Sequence, residues 1–508
     1  MAQSARQDAI PAAVLESLRG LLGAEHVLSD QVDRELFSHD FSDIALATAG
    51  VVVQPGSTDE VARVARIASA ANLALVPRGG GMSYTLGYSP LHPASVLIDT
   101  RRMNRIIEIN REDLYITVEC GVTWAQLFEA MRDRDVRMPF FGTLSGLYAT
   151  VGGGLAQNAT GLGYGYITDC VLGLEVVLAD GRIVRSGSGA ARGTAPFQRY
   201  FGPDVSGLFL ADAGAFGVKT RATFSLIPAP GGTAYASFGF HDVSTLVAAQ
   251  CDIARLHIAA QCTSLSRYQL AQMVARGMSF VQGYEHVLNV VIDGFDQIVA
   301  DHLGAVARDV LTHHGGRPLP DMLARLSREQ PFVPIGSLMI GSAGECAVPT
   351  NCFLPLSQAQ QATAALETFF NENAPLMQQH GITRTCLYMA SGNTFGIQPI
   401  LYWHDAFSLL RQRFSSPEQV AHFGQQPPNI TARAVVIDLR SRMIDLFRGL
   451  GAVHHQIGKL YPYREALVGT SSWELVNALK ALLDPQHLMN PGALSLDPVS
   501  TPYTDAGS

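Results

Sequence analysis

The chain carries little charge and no concentrated run of it. Only 16% of its 508 residues are Asp, Glu, Lys or Arg, and no block of Lys or Arg stands among them. With a formal net charge of −8, that scarcity argues against nucleic acid as a partner. Nowhere do about 18 apolar residues follow one another, so no membrane span is expected. Seven cysteines, odd in number and never spaced CxxC, fit reduced, buried thiols better than a disulfide framework or a zinc site. The N-terminal stretch lacks a cationic segment followed by an apolar core and a cleavage site. An amphipathic helix from about Pro11 and a cytoplasmic location are expected instead. Repeats and low-complexity segments are missing too, and the small polar tail after Pro498 should fray.

What is abundant is apolar surface and glycine. With 47% hydrophobic residues, a chain of this length should divide into two or more domains. Its glycines concentrate in Thr143–Gly165, TLSGLYATVGGGLAQNATGLGYG, and in Pro77-Arg78-Gly79-Gly80-Gly81-Met82-Ser83. A residue without Cβ reaches φ > 0 and lets backbone approach a ligand closely. Successive N–H groups then form a concave nest for phosphate oxygens. The longer run is expected to be neither helix nor ordinary strand. Two nests, each at the end of an apolar segment, imply a large ligand with a diphosphate. Flexible loops are the alternative, but such linkers are Ser/Gly-rich and polar, whereas Val, Leu, Tyr and Ala interrupt these.

Strand and helix signals alternate between residues 50 and 228. Strands are expected at 51–55, 73–77, 95–99, 115–119 and 171–178, the last turning at Asp180-Gly181 into 182–186. Ser57-Thr58-Asp59-Glu60 should start a helix over 60–71, with another over 123–134. The pattern is α+β. It lacks the strand–G-x-G-x-x-G–helix fingerprint of a nicotinamide-binding βαβ unit. Ile227-Pro228-Ala229-Pro230-Gly231-Gly232 marks a boundary, followed by a second α+β region to about residue 440 and a C-terminal helix over 472–483.

Four motifs together resemble the vanillyl-alcohol oxidase/p-cresol methylhydroxylase (PCMH) superfamily of FAD-dependent oxidoreductases, with the D-lactate/glycolate-type dehydrogenases as the nearest-looking branch. They are VVVQPGSTDEVARVARIA with PRGGGMS, TVGGGLAQNATGLGYGYITDCVLGLEVVLADG, GLFLADAGAFGVKTRATFSLIP, and HHQIGK followed by LDPQHLMNPG. The resemblance implies an FAD domain in two parts, 1–228 and 446–508, around an inserted cap or substrate domain, 229–445. It places Arg78, Gly79, Gly80, Gly81, Met82 and Ser83 at the diphosphate side of FAD. Thr143, Ser145, Thr150, Gly153, Gly154, Asn158, Gly161 and Gly165 follow the cofactor, with Val218 near the adenine and Asn490 near the ring. Relatives link FAD covalently through His or Cys where this chain has Met82 and Tyr148, so non-covalent FAD is expected. A homodimer is implied at the family level.

The metal-binding motif G-H-x-G-D-G-N-x-H of the hydroxy-acid branch corresponds to 387–395, with Tyr388 and Phe395 in place of its histidines. Aromatic side chains make poor ligands, so no metal is expected. His455, matching a histidine of that branch, is the expected base for the substrate hydroxyl, with His454 and Tyr388 as further catalytic candidates. The expected function is oxidation of a small organic molecule at a CH–OH or benzylic carbon, an aromatic or bulky alcohol favoured, with an unidentified electron acceptor. A D-2-hydroxy-acid dehydrogenase and a non-catalytic flavin-binding protein are the alternatives.

Overall fold

A computed structural model describes residues 10–496 of the chain, apart from 45 and 276; the tail after Pro498 lies outside the described residues. The N-terminal helix spans Ala12–Leu22 and buries Leu18 and Leu22. It packs on helix Thr58–Ala70, which starts as its sequence predicts. Ser57 accepts the Glu60 N–H, and the Glu60 carboxylate reaches back to the Gly56 N–H at 2.7 Å. This arrangement satisfies N–H groups that the first helical turn leaves open. Val61, Val64, Ala65 and Ala68 are then wholly buried against a small, mostly parallel sheet. Its order is Val27–Leu28, Val51–Val53, Ser95–Asp99, Ala74–Arg78, with the last three parallel.

A second sheet of five antiparallel strands follows, ordered Ile183–Arg185, Val171–Val177, Val218–Ser225, Tyr115–Glu119, Ile106–Asn110. The third is an eight-stranded antiparallel sheet whose strands all fall between residues 232 and 403. One face is covered by helices, among them Val243–Leu256, Ala359–Gln379 and Ile430–Gly449. The chain then returns to its beginning. Helix Ser471–Leu483 packs on the core of the second sheet, and Asn490 N–H donates to Leu75 at the first. The fold is α+β. Among the described residues no helix is long and apolar enough to cross a membrane, and all seven cysteines are free and buried.

The glycine-rich run corrects one expectation, for its centre is a helix, Val151–Gln157. Thr150 caps it, accepting the Gly153 N–H. Each glycine costs about 1 kcal/mol of helix propensity relative to alanine, but here close packing requires them. A Cβ on Gly152 would stand 2.8 Å from Cys120 Cβ, and one on Gly154 3.0 Å from the Trp124 ring. Glycine therefore allows this helix to lie directly on its neighbours.

Candidate active site

The strand Ala74–Arg78 ends in the first glycine segment, which presses against the N-terminus of helix Val151–Gln157. An added Cβ on Gly79 would meet Thr150 Oγ1 at 2.1 Å, and one on Gly80 the Tyr148 carbonyl oxygen at 1.9 Å. Gly161 meets the Gly142 carbonyl just as closely, at 1.9 Å. Two stretches of backbone thus form one wall of a cavity of about 420 Å³.

Arg78 sits in that wall, 4% exposed. Its guanidinium lies 4.5 Å from the Phe37 ring and 5.0 Å from Tyr88. Nη1 donates to the adjacent Gly79 carbonyl, Nε has no partner, and no carboxylate of the described residues forms an ion pair with it. Burial pulls its pKa down. A buried cation without a counter-ion is costly, and the phosphates of a dinucleotide would supply one. The second cation in the wall, Lys219, is already matched by Asp212 at 2.6 Å. Glycine backbone, an unmatched arginine and the hydroxyls of Ser83, Thr143, Ser145 and Thr150 make this wall fit FAD.

Of the residues expected around the cofactor, Arg78, Gly79, Gly80, Gly81, Met82, Ser83, Thr143, Ser145, Thr150, Gly153, Gly154, Gly161 and Val218 line the cavity. Three are not lining residues. Asn158 ends the helix in a left-handed conformation and accepts the Thr168 hydroxyl. Gly165 borders a smaller side cavity of about 260 Å³. Asn490 ties the two ends of the FAD region together, donating to the Gly87 and Ala213 carbonyls and accepting from Lys459.

The opposite wall is the open face of the eight-stranded sheet. Strands alternate faces, so Leu387, Met389, Gln398 and Ile400 line the cavity, while Cys386, Tyr388, Phe395 and Ile397 belong to the core under the helices. Tyr388, a catalytic candidate, thus turns its ring toward the core. Although the residue borders the cavity, its ring stacks on Phe395 at 6.1 Å. Its hydroxyl is buried beside Cys386, with a pKa pushed well above the usual range by burial. Among the described residues, no three His, Cys, Asp or Glu side chains cluster in a way that could hold a metal.

The two histidines also lie behind the wall. His455 is 6% exposed, packed 4.6 Å from the Phe353 ring, with Nδ1 unpartnered. Burial lowers its pKa to about 3. Neither His454 nor His455 lines the cavity, whereas the next residue, Gln456, does. His455 is therefore placed to pack rather than to reach a substrate. His454 stacks on Tyr461 at 4.2 Å, and its Nδ1–H donates to the Asn351 carbonyl at 2.7 Å. The side-chain amide of Asn351 in turn donates to the Tyr84 hydroxyl at 3.2 Å.

Tyr84 is the cavity residue that sequence reasoning missed. It follows Ser83 directly in the first glycine segment but packs with the core of the third sheet. Its oxygen accepts from both Asn351 and Gln398, the latter at 3.1 Å. Arg440, 2% exposed, donates to its carbonyl and sits 5.9 Å from its ring. Burial nevertheless raises the Tyr84 pKa, so the phenol keeps its proton at neutral pH. The only hint in the sequence was its position. Asn351, Gln398 and Arg440 lie in the stretch without motifs.

Residues 49–187 match the family model described as FAD binding domain. These residues carry an FAD-binding domain, and the chain is similar, in sequence there and in fold throughout, to proteins of the vanillyl-alcohol oxidase/p-cresol methylhydroxylase superfamily. It is 26% identical over 491 residues to a probable mitochondrial D-lactate dehydrogenase of Danio rerio, covering 94% of this chain and 91% of that one. A glycolate oxidase subunit GlcD of Bacillus subtilis is 33% identical over 220 residues, 43% of this chain and 45% of the relative. That match therefore spans less than half of the relative's length. In fold, p-cresol methylhydroxylase with substrate bound superposes with a TM-score of 0.74 at 20% identity, covering 96% of both chains. A 4-ethylphenol oxidase from Gulosibacter chungangensis gives 0.75 at 20%, covering 96% and 97%. The protein is an FAD-dependent oxidoreductase.

Proposed function

We propose that this flavoprotein oxidises a small organic alcohol, or a benzylic carbon, held between the glycine-rich wall and the cap sheet, with residues 229–445 as the cap. The observation that carries this reading is the single cavity shared by the two walls. Bound FAD would supply the hydride acceptor. The chain itself supplies position and hydrogen bonds. Asn351 and Gln398 donate to the Tyr84 oxygen, and the Gln456 amide, also in the cavity lining, lies within hydrogen-bond reach of it; the Tyr84 O–H is the donor that this cluster would offer to a substrate oxygen. Its raised pKa keeps that donor intact. Apolar Leu387, Met389 and Ile400 hold the carbon body and exclude water. Met82 and Tyr148 offer neither imidazole nor thiol at the places where relatives attach FAD, which supports non-covalent binding.

A D-2-hydroxy acid is the second reading, favoured by what the Danio rerio relative is called. Anaerobic flavin reduction tests both. Tyr84→Phe should slow reduction by about 10²-fold while bound FAD stays at the wild-type level. An unchanged rate would remove Tyr84 from the reaction.

A further inference from the structure

The substrate-facing part of the cavity is neutral throughout. Among the described residues, the only charged side chains in its lining are Arg78 and Lys219, both in the FAD wall. From the cap come the carboxamides Gln261, Asn289, Gln330 and Gln398 instead. Arg328, beside this wall, is bound to Asp293 at 2.9 Å. Arg440 lies behind Tyr84 and does not line the cavity. A carboxylate or phenolate entering here would lose its water without gaining a facing cation, which is unfavourable.

Gln261 adds a direction. It is 4% exposed and sits where the main and side cavities meet. Its Nε2 donates to Ser327 Oγ at 3.0 Å. Ser327 Oγ donates in turn to the Ala324 carbonyl at 2.7 Å, so it can only accept from Gln261. That chain fixes the amide, and Oε1, on its other side, has no partner. A buried carbonyl oxygen left open requires a donor.

We propose that the substrate is uncharged and donates a hydroxyl or N–H hydrogen to Gln261 Oε1. This rests on the oxidoreductase reading above. Such a substrate would place one oxygen on Tyr84 and a second donor on Gln261, as a diol or hydroxy amide does. The negative end of the Gln261 carbonyl would repel the carboxylate of a hydroxy acid.

Matched pairs test this on the holoenzyme: mandelamide against mandelate, and lactamide against D-lactate. Binding is read without air from the perturbation of flavin absorbance and from the shift in Tm. Each amide should bind about ten-fold or more tighter than its acid. Gln261→Leu should cost the amides about ten-fold in affinity, with FAD content unchanged. Gln261→Glu, nearly the same shape but without the N–H that reaches Ser327, should weaken acid binding further. Acids that bind as well as amides, amides that do not bind, or Gln261→Leu without effect on the amides would overturn the proposal. Amide binding without bleaching would support it and count against the oxidation reading. Bleaching by acids alone would do the reverse.

Discussion

The FAD wall and the cap wall face the same cavity but are built on opposite principles. The FAD wall is made of backbone, where glycine at positions 79, 80 and 161 lets two segments touch, and one arginine is left unmatched. The cap wall is made of side chains, from the sheet and from the helix Met322–Glu329 beside it. The first kind of site is constrained by sterics at almost every position. The second is constrained only by what the ligand needs. A sequence therefore announces the cofactor far more loudly than the substrate.

Substitutions should break this comparison in a definite order. The largest effect belongs to Gly80→Ala, whose methyl would lie 1.9 Å from the Tyr148 carbonyl oxygen. The variant should purify without flavin, seen as loss of the visible absorption bands, and a yellow variant would show the wall to be yielding. Arg78→Met comes next. Losing a charge-assisted contact to the diphosphate costs about 1.5–3 kcal/mol, so FAD should dissociate about 10–100-fold more readily in a titration of apoprotein. Within the same FAD wall, Ala159→Gly tests access. Ala159 is a buried lining residue, and removing its methyl should raise peroxide production several-fold, whereas no change would discard it as a barrier to oxygen.

The smallest effect on turnover, and the sharpest on pH, is expected at His455. Its folded pKa of about 3 lies below the ordinary value of 6.5. The neutral form is thus favoured by folding. Its contribution is complete above about pH 6.5 and is lost as pH falls toward 3. At about pH 5 the penalty is about 2 kcal/mol. His455→Gln should therefore narrow the drop in Tm between about pH 7 and pH 5, leaving the rate of flavin reduction within a few-fold. A large loss of rate would return His455 to the chemistry.

Legibility follows the same division. Strands Ser95–Asp99 and Tyr115–Glu119 lie where their β-rich runs put them, and Ser57 caps the helix it was expected to start. Alternating patterns and capping chemistry are local, so they survive in sequence. The helix inside the glycine run was not legible, because tertiary packing against Cys120 and Trp124 overrides the low propensity of glycine. The burial of the Tyr388 ring has another reason. Which face of a strand meets a cavity depends on register, and Leu387 and Met389 took the open face. Gln261 and Gln398 sit in ordinary strands, and nothing around them marks a carboxamide as functional. Tyr84 was within reach, since it adjoins the glycine segment, yet its role comes from Asn351 and Gln398, hundreds of residues away.

The central claim is that one cavity brings FAD and an oxidisable substrate face to face. The most direct test is the absorbance of the wild-type flavin, without air, while aromatic alcohols, 4-alkylphenols, diols, hydroxy amides and D-2-hydroxy acids are added in turn. The account predicts bleaching by uncharged alcohols, slowed about 10²-fold in Tyr84→Phe. A flavin that stays oxidised with every compound would contradict it.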